Sequence, residues 1–305
     1  MHLRPMTEAD RAEVAELIYC SINFWYRAHG CAEIFRGGPG VTDVFYEVYN
    51  DLTPGCNVVA VNPATGRLMG SCFYHPREKH VSLGIMNVHP NYFGRGVGSA
   101  LLKHIIDFTE RGGFPALRLT QSAINVDSFS LYNKAGFVPR HAYQDMIVGV
   151  PPAGWPHRTA GDVRAARPED VAAMAAVERE VSGITREQDY RYCIANARGY
   201  WHVSVRDNPH GGLDGWLVSC AHPAMNMLGP GVARDEATAA ALICNELDRH
   251  RGRSPVVLIP MDRPALVRQM YAWGARNCEM HFCQVRGAFQ PFNGVNMPSF
   301  LPETA

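Results

Sequence analysis

Gly94, Gly96 and Gly98 fall between an apolar extended run ending at Val88 and a helical pattern that opens near Ser99. Glycine lets a backbone approach a ligand without side-chain obstruction. The first turn of a helix leaves N–H groups unpaired, and these suit a phosphate or pyrophosphate. The stretch from Asn87 to Leu102 therefore reads as an anion cradle at a strand–loop–helix junction, with a ligand-free glycine turn as the plain alternative. A P-loop needs Gly-Lys-Ser/Thr, whereas Gly98 is followed by Ser99-Ala100. A dinucleotide fingerprint needs a third glycine near position 101 and an acid on the next strand. Position 101 is leucine, and the next strand reads Leu117-Arg118-Leu119-Thr120-Gln121. A third reading is coenzyme A, its pyrophosphate on the N–H groups of residues 94–99.

The bulk of the chain narrows the classes of function. With 305 residues, 47% hydrophobic and 19% charged, it suggests a soluble globular protein of two domains. Lys+Arg and Asp+Glu both number 29 and no basic stripe occurs, which argues against nucleic acid as a partner. No apolar run reaches 18 residues, so no membrane partner is expected, and the first residues lack a signal-peptide core. The nine cysteines are scattered, with no Cys-x-x-Cys pair. That pattern favours a reducing, cytoplasmic location and disfavours a structural metal.

The elements that position the loop follow from periodicity. Thr7 reads as an N-cap with Asp10 three residues on, ahead of Val14, Leu17 and Ile18 at helical spacing. A second helix is expected over 41–52, then strands at 57–61, 68–74 and 81–88. The helix after the loop carries Leu101, Leu102, Ile105 and Ile106 as one stripe. A strand at 116–120, a helix from Asp127 closed by Gly136, and two strands at 137–138 and 145–150 complete this half. The aromatic run Phe24-Trp25-Tyr26 reads as packed core at helical spacing, with the floor of an acceptor pocket as its alternative. Residues 151–161, with three prolines and two glycines, are the expected linker. The pattern then restarts: Arg164 and Asp170 repeat Arg4 and Asp10 at an offset of 160 residues. We read an internal duplication, with domains at 1–150 and 162–288 and a tail at 289–305 that docks on the body.

Residues 1–150 resemble the GNAT N-acetyltransferase superfamily. The resemblance rests on the order of elements and on two motifs in sequence: Val88-His89-Pro90 through Gly96-Val97-Gly98, and Asn125 followed by Leu131-Tyr132-Asn133-Lys134-Ala135-Gly136-Phe137. The family usually places Gln or Arg at the start of the loop; here that position is Phe93, and Arg95 can supply positive charge instead. The resemblance implies an α/β fold in two tandem GNAT-like domains, each a mixed, mostly antiparallel sheet flanked by helices. It implies acetyl-CoA as co-substrate, no metal, and transfer of the acyl group to an amine, on a small molecule, by a monomer or homodimer. A non-catalytic acyl-CoA-binding regulatory protein is the alternative class. An oxidoreductase with a variant loop ranks below both.

The chemistry implied is direct attack of an amine on a thioester held beside it, so that positioning supplies much of the rate. The CoA-binding residues would be Asn87, Val88, Gly94, Arg95, Gly96, Val97, Gly98, Ser99, Asn125 and Tyr132. Backbone N–H groups of the Val88 strand can polarise the thioester oxygen. Tyr132 would act as general acid towards the departing sulfur, since a tyrosine hydroxyl ordinarily has a pKa of ~10. Asn125 would bind the pantetheine arm; a helix cap is its plain alternative. The base is open: many relatives carry a glutamate on the strand before the loop, whereas Ser82–Val88 has no acid. His80 and His89 are the candidates, and Glu33, Asp43 and Glu47 lie on the expected acceptor side. In the second half, residues 229–236 read as a degenerate loop. Pro230 lacks an N–H, and Asp235 and Glu236 occupy the positive helix end, so that half is expected to bind acetyl-CoA weakly or not at all.

Overall fold

The computed structural model describes residues 1–157 and 163–303. The end of the expected linker, 158–161, and residues 304–305 of the tail lie outside the described residues. The chain forms two compact units, one of residues 1–119 with 300–303, the other of residues 120–299.

In the first unit, β1 (His2–Arg4), β2 (Asn57–Val61), β3 (Leu68–Pro76), β4 (Val81–Val88) and the start of β5 (Ala116–Ser122) lie side by side in chain order. Neighbours are antiparallel except β4 and β5, which are parallel. Helices α1 (Arg11–Ala28), α2 (Asp43–Leu52) and α3 (Val97–Arg111) cover the sheet. Side chains alternate across a strand, and β3 shows the result. Tyr74 packs on Phe108 of α3, with ring centroids 4.7 Å apart, while Phe73 packs on Tyr49 of α2 at 4.9 Å. A Cβ on Gly70 would meet Val97 and Leu101 of α3 at 2.9 and 3.1 Å. Glycine at that position lets the helix sit close to β3.

The second unit carries α4 (Val126–Lys134), β6 (Val138–Ile147), β7 (Val163–Ala165), α5 (Val171–Ser182), α6 (Glu187–Ala195), β8 (Trp201–Asp207), β9 (Leu213–His222), β10 (Met225–Ala233), α7 (Glu236–Leu247), β11 (Val256–Pro260), α8 (Pro264–Ala272), β12 (Arg276–Gly287) and β13 (Val295–Met297). Its strand order is β5-β12-β6-β11-β10-β9-β8-β7, with β13 on β10. The core is Met146, Leu217, Leu228, Leu242, Val257, Met270 and Met297, all fully buried. Arg186, 2% exposed, is matched by Glu178, 0% exposed, so this buried charge is paired.

Two sequence expectations change here. The compact units part inside β5 and not at 151–161. The reason is β6, which pairs along its length with β12 on one side and β11 on the other. The same pairing makes one strand of Val138–Ile147 where two short ones were expected.

The duplication is visible in the local structure. Arg4 donates to both carboxylate oxygens of Asp10 at 2.7 and 2.8 Å, and Asp10 also accepts from the Thr7 N–H. Arg164 repeats this on Asp170 at 2.8 and 2.9 Å, with the Arg167 N–H in place of Thr7. Hydrogen bonding by Arg4 holds the Asp10 carboxyl down to about 2.

Candidate active site

β4 and β5 pair only at Val81–Leu117 and Ser82–Arg118, at the end of β4 away from the glycine loop. From Leu83 to Val88 the side of β4 facing away from β3 has no register partner among the described residues. The β3–β4 register steps from Cys72–Met86 to Tyr74–Leu83, so β4 carries one extra residue. This is a β-bulge at Gly84–Ile85, of the kind that re-aims a backbone beside a site. A Cβ on Gly84 would stand 2.8 Å from the Phe73 carbonyl oxygen, so the bulge depends on glycine there.

The loop after β4 is open to solvent. Pro90–Tyr92 form a 3-10 turn, and Phe93, Gly94, Arg95 and Gly96 are exposed. Gly94 and Gly96 have φ of +71° and +77°, and a Cβ on either would meet nothing within 4 Å. Gly96 is the N-cap of α3, so no side chain caps that helix, and its first turn has no acid. The N–H groups of Val97, Gly98 and Ser99 therefore end α3 with the positive end of its dipole uncompensated. The Val97 side chain is buried, so its part in any ligand contact is backbone only. The Arg95 guanidinium lies 5.7 Å from the Tyr92 ring centroid, and Asn62 donates to the Tyr92 hydroxyl at 3.0 Å. An exposed cation is thus seated on an anchored ring at the mouth of the cradle.

Other expected site residues are placed less simply. Asn87 is buried, and its amide donates to Ser21 Oγ of α1 at 2.8 Å. Its Oδ1 has no hydrogen-bond partner among the described residues, so that oxygen and the backbone remain for a ligand, whereas Val88 pairs with Gly70. His89 caps the Pro90–Tyr92 turn: its Nδ1 accepts from the Asn91 N–H at 3.2 Å. A neutral imidazole in that role carries its proton on Nε2, and its Nδ1 lone pair faces the turn. His80 is fully buried ahead of Val81, with Nε2 3.1 Å from Ser82 Oγ. The whole of β4 separates it from the loop, roughly 25 Å at the usual strand rise. Both histidines are thus engaged by neighbouring residues of the fold. Asp43 and Glu47 both accept from Arg11, and Glu33 pairs with Arg27 at 3.1 Å. Phe24 is exposed and lies 6.1 Å from Phe93, so the aromatic run is not core as expected. The apolar stripe of α1, Val14, Leu17 and Ile18, is satisfied before Phe24 is reached.

In the second unit, Asn125 caps α4: its Oδ1 accepts from the Ser128 N–H at 3.0 Å. The amide nitrogen is not used by that cap. Tyr132, 7% exposed, packs on Phe137 with centroids 5.7 Å apart, and its carbonyl accepts from the Phe137 N–H at the turn. One group among the described residues has the spacing of metal ligands, Asp145, Glu279 and His281. His281 Nδ1 lies 2.8 Å from an Asp145 carboxylate oxygen and Glu279 accepts from Ser122, which accounts for the cluster within the protein.

The second half builds the same strand pair and then closes it. β10 and β11 are parallel and pair only at Met227–Val256 and Leu228–Val257. Beyond that point β13 enters and pairs with Gly231, Val232 and Ala233 of β10. Residues 229–233, expected as a loop, are strand. A Cβ on Gly231 would stand 2.5 Å from Leu217 Cδ1 and 2.9 Å from the Trp216 carbonyl oxygen, so this glycine serves packing. Asp235 caps α7, accepting from the Thr238 N–H at 2.7 Å. Gly231→Ala should lower stability by about 1–3 kcal/mol through overpacking and leave acetyl-CoA affinity unchanged. Denaturant titration and calorimetry read the two effects separately.

Residues 22–137 match the family model described as the acetyltransferase (GNAT) family. The similarity to the GNAT family is thus a property of this stretch of the first half. A candidate acetyltransferase from Pyrococcus horikoshii superposes with a TM-score of 0.78 at 15% identity, over 99% of this chain and 95% of that one. A GCN5-related N-acetyltransferase from Sphaerobacter thermophilus gives 0.63 at 18% identity, over 96% and 97%. A tandem GNAT protein from the clavulanic acid biosynthesis pathway gives 0.61 at 16%, over 94% and 98%. These likenesses extend the GNAT fold over both halves. By sequence, the UPF0157 protein YqkA of Bacillus subtilis is 32% identical over 72 residues, 24% of this chain and a fifth (20%) of that protein's length. No helix among the described residues is long and apolar enough to cross a membrane.

Proposed function

We propose that this chain is an acetyl-CoA-dependent N-acetyltransferase, acting on a small-molecule amine through its first half. The observation that carries the reading is the open splay of β4 from β5, running into an uncapped helix start bounded by two left-handed glycines. The residues fit the group. The N–H groups of residues 94–99, with Arg95 beside them, suit a pyrophosphate, and the free edge of β4 suits an extended pantetheine arm. When bound, the co-substrate supplies an activated acyl carbonyl. The chain aligns the amine with it, polarises the carbonyl oxygen through β4 N–H groups, and returns a proton to the sulfur from the Tyr132 hydroxyl. In the second half β13 and Asp235 fill the equivalent positions, which supports a scaffolding role there.

The test is calorimetry with acetyl-CoA followed by thiol release over a panel of primary amines. Saturable binding with release on at least one amine is expected. Tighter binding of NAD than of CoA would overturn the reading. One observation favours a second reading, an acyl-CoA-binding regulatory protein: β4 carries no acid. Tight binding without thiol release on any amine is the result that would support it.

A further inference from the structure

No acid lies on β4, yet a carboxylate reaches it. Residues 300–303 belong to the first unit, and Glu303 is 8% exposed there. Its carboxylate accepts from the N–H of Ile85, the bulged residue of β4, and is hydrogen-bonded to the Tyr49 hydroxyl of α2. Tyr49, 1% exposed, stands 3.1 Å from the carbonyl oxygen of Phe300, so the same phenol holds both ends of this short segment. Ile85 is half-buried on the stretch of β4 that β5 leaves unpaired, three residues before Val88.

We propose that Glu303 is the general base of the transfer reaction, supplied to the β4 bulge by the segment after β13. This rests on the acyltransferase reading above. The step balances as follows. The carboxylate takes one proton from the substrate ammonium. The freed nitrogen forms the C–N bond at the acyl carbon, and the C–S bond breaks. The sulfur receives its proton from Tyr132, which regains one from the nitrogen. Glu303 passes its proton to solvent, so one ammonium and one thioester give one amide, one thiol and one proton.

The surroundings suit that work. α2 presents Tyr49, β3 presents His75, and β4 has no titratable side chain. Burial pushes His75 well below its ordinary value, so it stays neutral and brings no positive charge to the site. Burial also pushes the Glu303 carboxyl well above the usual carboxylate range, while hydrogen bonds from its own N–H and that of Ile85 pull back. A raised value moves a carboxylate toward the pH at which a base works best. The sign follows: activity falls as pH drops through the raised value. Docking of 300–303 is favoured by protonation, so it is strongest below the ordinary glutamate range and weakens as pH rises through the raised value.

The experiment compares the full chain with Glu303→Gln and Tyr49→Phe, reading thiol release against pH with an alkyl primary amine and with hydroxylamine. The alkyl amine is protonated at neutral pH, with a pKa of ~10; hydroxylamine is not. Glu303→Gln should lose on the order of 10²-fold on the alkyl amine at pH 7. It should recover about tenfold per pH unit towards the amine's own pKa, and keep its rate on hydroxylamine and its acetyl-CoA affinity. Tyr49→Phe should move the acid limb upward and add nothing to Glu303→Gln. An unchanged profile for Glu303→Gln, or equal losses on both nucleophiles, overturns the assignment while leaving acyl transfer intact. No thiol release by the unaltered chain on either nucleophile overturns the acyltransferase reading, and the base with it.

Discussion

Gly96→Asp should raise the dissociation constant for acetyl-CoA at least 100-fold, a loss of about 2.7 kcal/mol or more, with the fold retained. Gly96 caps α3 at φ +77° and faces open space. Aspartate tolerates that left-handed region better than most residues. It is also a favoured N-cap, whose carboxylate would accept from the N–H groups of the first turn. The substitution carries the strain of a non-glycine residue at positive φ and places a negative charge beside the donors proposed to hold pyrophosphate. Asp235 already places such a charge at the start of α7. Thermal unfolding near that of the unaltered chain, alongside absent calorimetric heat with acetyl-CoA, is the expected pair of results. Retained affinity would place the ligand elsewhere.

Tyr132→Phe should lower turnover on the order of 10²-fold, as for loss of a general acid, and change acetyl-CoA affinity little. The ring packs on Phe137 and the backbone carbonyl closes the turn after α4, so phenylalanine keeps both interactions. Only the hydroxyl is lost. A leaving group that needs no proton separates acid catalysis from packing: replacing the thioester with an acyl donor whose thiol is more acidic should restore most of the rate. An unchanged rate with acetyl-CoA would reject Tyr132 as the acid.

Local features were legible in the sequence and long-range ones were not. The bounds of β4 and the stripe of α3 follow from periodicity within one element. The Arg4–Asp10 pair and its repeat at Arg164–Asp170 follow from spacing. The extent of β6 does not, because its partners β11 and β12 lie more than a hundred residues away in sequence. Gly229–Ala233 has the composition of a loop, and it is strand because β13 pairs with it. Gly96 and Gly231 look alike in sequence. One faces open space and the other the Leu217 side chain, a difference set by packing. His89 stands out in the sequence by residue type alone, and in the fold its Nδ1 accepts from the Asn91 N–H at a turn. Glu303 carried no local signal: what distinguishes it is burial against Tyr49 and Ile85, which only the folded chain brings about.

The most direct test is a crystal structure of the full chain grown with acetyl-CoA. The expected result is pyrophosphate oxygens within hydrogen-bond distance of the N–H groups of residues 94–99, with pantetheine along Asn87 and Val88 of β4 and β13 still paired with β10. Coenzyme A at the start of α7 with β13 displaced, or a glycine loop that takes no ligand while another site does, would contradict the account.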